Sequence, residues 1–262
     1  MEVRAVERAL IIMEALNENV QGLSELSRSV ALSKATLLRI LGTLIKYEYV
    51  TYNKETQKYD LGMKLLKMGM TISDRFDLKK VAEPFLTYIW NASGETVYLN
   101  VRNGNERLSI DCLNGKRSVR VVAHTGQSTP LHVAASGMAI LAFLDREEIE
   151  VYLRNVRFFK FAPGTIDSID ALRAELEKTR ERGYAVSFEG RMADAKGVSA
   201  PIREVTGRVI ASISMTVPTS RTDEEFESYI KLATEAAANI STKLGYSSAE
   251  NLDQGAIAAD CT

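Results

Sequence analysis

Hydrophobic residues recur at helical spacing in the first 46 residues of the chain and predict three short amphipathic helices. The first is predicted to end near residues 17–19, and its apolar positions are Val6, Ala9, Leu10, Met13 and Leu16. The other two are joined by a tight turn within residues 24–44, and the later one has apolar positions Leu37, Ile40, Leu41 and Leu44. The apolar face of each helix must pack, so these positions predict the core of a small helical domain.

The opposite face of the third helix carries cations and hydroxyl groups. From residue 33 to residue 46 there is no acidic residue, and the polar side chains of that face are Lys34, Thr36, Arg39, Thr43 and Lys46. A basic helix after a short turn is typical of a helix-turn-helix, whose second helix enters the major groove of DNA. The alternative is an ordinary amphipathic helix with a solvated positive face, because short helix pairs are common.

A predicted β-hairpin follows these helices. Aromatic and β-branched residues lie at 49–53 and 58–62 on either side of a short polar turn. Three helices followed by a hairpin predict a winged helix-turn-helix, with Lys54 and Lys58 at the tip of the wing, where a phosphate backbone would lie. The alternative is a helical subdomain whose hairpin contacts protein.

The pattern changes after a predicted connecting helix at 61–73, which places a domain boundary near residues 75–80. A helix around 81–90 precedes strand-like runs at 96–102, 107–113 and 118–123, separated by Asn-Gly pairs that predict an antiparallel meander. Residues 126–132 are predicted as a loop and 133–144 as a helix of small residues. Further helices are predicted at 146–153, 168–182 and 223–244, and further strands at 184–188 and 208–217.

This order of elements predicts an α+β fold. An N-terminal winged helix-turn-helix domain (1–75, with a linker helix at about 62–75) is joined to a GAF-like effector-sensing domain with an antiparallel sheet (80–246). The small polar tail at 247–262 is predicted to be flexible. Helices framing such a sheet suit a buried pocket for a small molecule, although fold alone does not prove one.

Composition and charge narrow the class of protein. The chain has 262 residues, 45% of them hydrophobic, and a formal net charge of −1. Residues 1–67 hold ten Lys and Arg against eight Asp and Glu. Because DNA affinity comes largely from neutralised phosphates, one copy with so small a positive excess is expected to bind poorly, and at least a dimer is predicted.

Several other classes are disfavoured by the sequence. No apolar run approaches the length of a membrane helix, and no signal peptide is apparent, so a cytoplasmic protein without membrane association is expected. Two histidines and two cysteines are too few for a metal cluster or a disulfide framework. No phosphate-binding loop or nucleophile motif is present, so an enzyme is not expected, nor a cofactor. His132 is expected to satisfy local hydrogen bonds and Cys112 to lie in the core.

Short motifs in a fixed order carry a resemblance to a known family. They are 5–10 (AVERAL), 32–36 (LSKAT), 59–62 (YDLG), 130–137 (PLHVAASG), 182–186 (RGYAV) and 207–211 (GRVIA). With this order and spacing, the chain resembles the IclR family of bacterial transcriptional regulators from Val3 to about Tyr246. The resemblance implies a dimer or dimer of dimers that binds a short pseudo-palindromic operator in double-stranded DNA and senses a small metabolite. Family members include both activators and repressors.

The helix pattern and the resemblance together select residues for contact with DNA. They are Ser33, Lys34, Ala35, Thr36, Arg39, Thr43, Lys46, Lys54 and Lys58. A non-catalytic interaction module that senses a small molecule without specific DNA binding is the alternative. Substitution of Lys34 and Arg39 separates the two, because only a DNA-binding protein would lose affinity for duplex.

The resemblance also implies the residues that contact the effector, which in this family is often a carboxylate. They are Gly126, Leu131, Ala135, Ser136, Ser187, Glu189, Ala195, Gly197, Ser214 and Thr216. Ser136 lies near a predicted helix N-terminus, which favours an anion, and Ser214 and Thr216 share one face of a strand.

Two positions depart from the pattern of family members that bind small keto acids. Those members tend to have an acid where this chain has Ser187 and a cysteine where it has Gly197. The smaller residues remove polar groups and add volume. The expected effector is therefore a carboxylate larger than pyruvate, aromatic or sugar-derived.

Overall fold

The computed structural model describes residues 3–74 and 77–247, and the chain divides between Phe76 and Asp77 into two compact units. The tail predicted at 247–262 lies outside the described residues from position 248 onward, and Cys261 with it. In the described part of the chain, no helix is long and apolar enough to cross a membrane.

The first unit is a winged helix-turn-helix, as predicted. Its elements are α1 (Arg4–Glu18), β1 (Gln21–Gly22), α2 (Leu23–Ser29), α3 (Lys34–Lys46), β2 (Val50–Asn53), β3 (Lys58–Leu61) and α4 (Met63–Asp74). The three strands form an antiparallel sheet in the order β1-β3-β2. The short strand β1 was not predicted, because two residues carry no detectable periodicity. The core of this unit comprises Ile12, Leu16, Leu26, Leu37, Leu41, Leu44, Val50 and Tyr59.

Hydrogen bonds from two serines shape the turn between α2 and α3. Ser27 Oγ donates to the carbonyl of Leu32 at 2.6 Å, which closes the turn onto the end of α2. Ser33 is the N-cap of α3 and its Oγ accepts from the backbone N–H of Thr36 at 3.3 Å. Serine is favoured at an N-cap because its oxygen satisfies an amide that has no partner within the helix. The start of the exposed α3 helix is thereby defined by local chemistry.

The second unit is an α+β domain, as predicted. Its elements are α5 (Asp77–Ser93), β4 (Thr96–Asn103), β5 (Glu106–Leu113), β6 (Ser128–Pro130), α6 (Ala134–Leu141), α7 (Arg146–Asn155), α8 (Ile169–Arg182), β7 (Ala185–Phe188), β8 (Ala195–Arg203), β9 (Val209–Pro218) and α9 (Asp223–Lys243). The six strands form one antiparallel sheet in the order β6-β5-β4-β9-β8-β7.

The two faces of this sheet differ in chemistry because side chains alternate along each strand. One face packs against α5 and α9 through a large apolar core that includes Leu99, Val198 and Ile213. The other face, at the centre of the sheet, carries small and polar residues: Tyr98, Asn100, Gly197, Ser199, Ser212, Ser214 and Thr216. Small residues leave space between this face and α6, and that space forms the cavity described below.

Two predictions about the strands were wrong. Residues 118–123 are irregular, because side chains bind their backbone: Asn114 Nδ2 donates to the carbonyl of Ala123 at 3.1 Å, and Thr96 Oγ1 binds the carbonyl of Val121. Beside β4, the second partner of β5 is instead β6, which lies within the segment predicted as a loop.

The central strand β8 was also missed, because Pro201 argues against a central strand in the sequence. Pro201 is tolerated because the pairing of β7 with β8 ends at Ser199, so the missing N–H breaks no bond there.

A second apolar core forms between α6, α7 and α8 and encloses His132. The side chain is only 1% exposed; its Nδ1 lies 2.8 Å from the hydroxyl of Tyr152 and its ring meets the edge of Phe158. The expected local hydrogen bonding therefore holds for Nδ1, whereas Nε2 has no partner in the part of the chain that the structure describes. Phe159 and Phe161, which lie just after Phe158 in the chain, are exposed. Cys112, which was predicted to lie in the core, is instead half-buried.

The buried His132 predicts a specific loss of stability in acid. Burial lowers its pKa below the ordinary value of 6.5, so the unfolded chain binds a proton that the folded chain resists. The free energy of unfolding should fall as the pH drops below 6.5, by at most about 1.4 kcal/mol per pH unit for one proton. Urea denaturation between about pH 7.5 and 5.5 measures this slope. His132→Asn should flatten it and His124→Asn should not; equal slopes in both variants would contradict the prediction.

Candidate functional site

The residues predicted to contact DNA lie on the exposed side of α3 and at the wing. Lys34, Ala35, Arg39, Thr43 and Lys46 are exposed along α3, and Thr36 is half-buried. In the described residues, none of the three cations takes part in an ion pair, although Lys46 lies over the ring of Tyr47. The positive charge of the helix is therefore available to a polyanion.

The hydroxyl groups of this helix already have partners within it. Ser33 Oγ and Thr36 Oγ1 lie 3.0 Å apart, and Thr43 Oγ1 donates to the carbonyl of Arg39 at 3.2 Å. A hydroxyl can still accept or donate a further bond, since it has one donor and two acceptor sites. These residues thus stabilise the helix as well as presenting polar groups on its surface.

Two residues of the exposed helix face were missed by the sequence analysis. Leu38 lies one turn after Lys34 and is 48% exposed. Gly42 lies one further turn along, and a Cβ built there meets no atom within 4 Å. An apolar side chain can contact a thymine methyl group. The helical spacing of 34, 38 and 42 is the signal that would have found them.

A groove beside α3 adds further positive charge. It lies between α1 and α3, and Arg4 and Arg8 line it together with Arg39. Arg4 and Arg8 were not among the predicted DNA contacts, because they belong to a different helix. Packing of α1 against α3 brings the three arginines to one surface.

The wing is a short, ordered hairpin. Asn53 Oδ1 accepts from the backbone N–H of Glu55 at 2.9 Å and of Thr56 at 3.1 Å, which shapes the turn. The rings of Tyr52 and Tyr59 are 4.8 Å apart across the strands. Lys54 and Lys58 are exposed at this turn.

The second unit contains a cavity of about 50 Å³ between the polar face of its sheet, the first turn of α6 and the loop after β7. Of the residues predicted to contact the effector, the structure brings together Ala135, Ser136, Ser187, Ala195, Gly197, Ser214 and Thr216.

The start of α6 is held against β7 and β9 by hydrogen bonds. Ser187 Oγ accepts from the backbone N–H of Ala135 at 3.1 Å, and Ser212 Oγ donates to the carbonyl of Ser136 at 2.9 Å. Ala134 has a φ of +61°, a conformation that alanine rarely adopts. Such strain is typical of functional sites. Ser187 therefore caps this helix and occupies one of the amides that would otherwise be free to bind an anion.

Three of the predicted effector contacts do not reach the cavity. Leu131 is fully buried in the second core, and Gly126 lies at a turn where a Cβ would meet open space. Glu189 Oε1 accepts from the backbone N–H of Asp194 at 3.0 Å, which closes the loop after β7.

Two arginines at the cavity were missed by the sequence analysis. Arg107 projects from β5 and is only 3% exposed, and Arg191 lies in the loop after β7. Burial, and to a lesser extent the charge of Arg191, lowers the pKa of Arg107 to about 10, so its guanidinium remains charged near neutral pH.

Arg107 and its neighbours form a connected polar network across the sheet. Arg107 Nη1 donates to Asn100 Oδ1 at 3.3 Å, and Asn100 Nδ2 donates to Ser214 Oγ at 3.0 Å. Ser214 Oγ lies 2.7 Å from Ser199 Oγ. Burial raises the pKa of the neighbouring Tyr98, which keeps its hydroxyl protonated. The cavity therefore offers a cation and neutral hydrogen-bonding groups, a combination suited to a polar anion.

Comparison with known proteins gives one consistent result. The model described as "Bacterial transcriptional regulator IclR C-terminal" matches residues 70–242, and the "IclR helix-turn-helix domain" matches residues 5–54. The HTH-type transcriptional regulator XynR of Escherichia coli is 33% identical over 247 residues, which is 93% of this chain and 98% of XynR.

Solved structures of similar proteins agree with these matches. The Thermotoga maritima IclR structure has a TM-score of 0.72 and 32% identity, covering 93% of this chain and 98% of its own. An IclR homolog from Microbacterium hydrocarbonoxydans, solved as a complex with 4-hydroxybenzoate, has a TM-score of 0.80 and 27% identity, with coverages of 92% and 98%.

Proposed function

The chain belongs to the IclR family of bacterial transcriptional regulators, and from that premise we propose which residues contact DNA and what kind of molecule controls binding. It is a DNA-binding transcriptional regulator with an effector-binding C-terminal domain, and not an enzyme. A regulator of this kind acts where the chromosome is, so we place it in the cytoplasm.

We propose that α3 enters the major groove and that Lys34 and Arg39 contact base edges there. The observation that carries this proposal is an exposed helix face with cations and no acid. The wing residues Lys54 and Lys58 would contact phosphates, which position the protein without specifying sequence. Because one copy contributes few cations, the binding form is proposed to be a homodimer or dimer of dimers on a pseudo-palindromic operator.

We propose that the effector is a carboxylate larger than pyruvate, aromatic or sugar-derived, bound in the cavity of the second unit. The support is the pair of small residues Ser187 and Gly197 on the cavity wall, which leave room for a ligand beside them. A structural relative was solved with an aromatic acid, 4-hydroxybenzoate. A coupling of roughly 1–3 kcal/mol between the two sites would change operator affinity about 5- to 150-fold.

Selection from a randomised duplex pool with the full-length protein tests the DNA proposal. An enriched pseudo-palindrome is expected, and fluorescence anisotropy should show it binding at least about 10³-fold tighter than a scrambled duplex at physiological salt. Equal, salt-sensitive binding to both duplexes would show only non-specific electrostatic attraction and would refute the proposal.

Isothermal titration calorimetry tests the effector proposal. We expect 4-hydroxybenzoate, benzoate or gluconate to bind more tightly than pyruvate and glyoxylate, because Ser187 and Gly197 leave room on the cavity wall and supply neither an acid nor a thiol to hold a small keto acid. Tight binding of pyruvate or glyoxylate with all larger acids inert would refute it.

A further inference from the structure

Arg107 is a buried cation without a counter-ion. Its side chain is 97% buried, its Nε–H has no hydrogen-bond partner among the described residues, and it lines the cavity. Among the side chains that the structure describes (residues 3–71 and 78–247), no carboxylate oxygen lies within 4.0 Å of its guanidinium. Burying a charge without a partner is costly, and proteins retain such a group where a ligand supplies the missing charge.

Two other cations of this domain that have little exposure to solvent, Lys196 and Arg221, each lie close to a carboxylate. Lys196 is 4% exposed, donates to the carbonyl of Arg221 at 2.8 Å and lies 3.7 Å from Asp223. Arg221 itself binds the buried carboxylate of Glu95. Arg107 has only neutral partners at the long distances of 3.3 and 3.5 Å.

A second guanidinium converges on the same place. Arg107 Nη1 reaches the main-chain carbonyl of Gln127 at 3.5 Å, and Arg191 Nη2 donates to the side-chain oxygen of Gln127 at 3.1 Å. The guanidinium groups of Arg107 and Arg191, which come from different segments of the chain, thus both contact the neutral residue Gln127. In the described part of the chain neither has an ion-pair partner, so the local charge is unbalanced and attracts an anion.

We propose that Arg107 and Arg191 form the acid-binding group of the cavity and receive the carboxylate of the effector. A carboxylate has two oxygens in one plane, which match the Nε–H and Nη–H of a guanidinium in a bidentate pair. This assignment deepens the proposed function and rests on it. It places the effector's acid on a side chain of β5 and not on the first turn of α6, where Ser187 already binds the amide of Ala135.

Calorimetry with charge-matched pairs tests this assignment in the full-length protein. The probes are 4-hydroxybenzoate, benzoate and gluconate, each beside its neutral primary amide, with 4-hydroxybenzenesulfonate as a non-planar anion. An acid that binds should bind about 10- to 100-fold tighter than its amide, since hydrogen bonds to charged groups are strong when buried. The sulfonate should bind more weakly than the carboxylate; equal binding would assign a general anion site instead.

Variants then locate the acid-binding group. Arg107→Gln should lose the preference for acid over amide while leaving amide affinity within about threefold, and Arg107→Lys should restore only part of it. Arg120→Gln, at an exposed arginine of the same domain, is the control and should bind like the wild type. Retention of the acid preference in Arg107→Gln would overturn the assignment.

Thermal unfolding without ligand tests the proposal independently of which probes bind. Because Arg107 is unpaired, Arg107→Gln and Arg107→Met should raise the midpoint of unfolding, by about 2 °C or more. A fall in the midpoint of both variants would show that the guanidinium is structural and would overturn the proposal. Binding of the selected operator is measured alongside for the wild type and for Arg120→Gln, which should bind it equally, so a failure of DNA recognition is distinguishable from a failure of the acid-binding assignment.

Discussion

Replacing Lys34 and Arg39 with alanine is expected to abolish specific operator binding while the protein stays folded and still binds its effector. Both side chains are exposed on α3 and neither is part of an ion pair in the described structure, so the fold loses little with them. A base contact is worth about 1–3 kcal/mol. A dimer makes each such contact once per half-site, so either single substitution should weaken binding by about 2–6 kcal/mol, or roughly 30- to 10⁴-fold.

Anisotropy with the selected operator and a scrambled duplex, across a salt series, measures this effect. Without its base-reading side chains the protein should show a smaller ratio of specific to non-specific affinity. Lys54→Ala, at the wing, should instead weaken both duplexes alike and reduce the slope of log affinity against log salt by about one for every phosphate no longer neutralised. Lys231→Ala removes an exposed charge of the same sign from α9 and is the control. Unchanged specificity in the Lys34→Ala and Arg39→Ala variants would refute the proposed role of α3.

The largest loss of stability is expected from Glu95→Ala. Glu95 is fully buried, and its Oε1 accepts from Arg221 Nε at 2.5 Å and lies 3.2 Å from Arg117 Nε. Arg221 also donates to the carbonyl of Val119 at 2.7 Å. The carboxylate therefore ties the irregular segment after β5 to the start of α9.

Removing this carboxylate leaves Arg221, only 13% exposed, without its counter-charge. Breaking a buried ion pair from one side costs about 3–5 kcal/mol. Urea denaturation should show a loss of this size, and because the same segment leads to Gln127, binding of the effector should weaken as well.

Glu150→Ala provides a matched control for this loss. Glu150 forms a bidentate pair with Arg173 in which both side chains are almost half exposed. Solvent screens such a pair, so the variant should keep near wild-type stability. Equal stability of Glu95→Ala and Glu150→Ala would show that the buried carboxylate contributes nothing.

Some parts of the two candidate sites could be predicted from the pattern of neighbouring residues in the sequence, and others could not. The apolar spacing of Leu37, Leu41 and Leu44 predicted α3, and the structure places Lys34 and Arg39 on its exposed side. In contrast, β8 was not predicted, because proline is unusual inside a sheet. Whether this strand accepts Pro201 depends on where the neighbouring strand β7 ends. Arg107 in a strand-like run gave no sign that it would be buried, because burial of β5 depends on elements far along the chain.

Local pattern was sufficient to define the helix-turn-helix, the wing and most of the order of elements, because helical periodicity, N-caps and turn residues act over a few neighbouring positions. Strand pairing, in contrast, was fixed by the assembled fold, and it brings Asn100, Arg107 and Ser214 together from three strands. The same assembly places Arg107 and Arg191 beside one cavity without a counter-ion in the described part of the chain. Charge balance and burial are properties of residues distant in the chain, so the group proposed to bind the acid emerges only once the sheet is assembled.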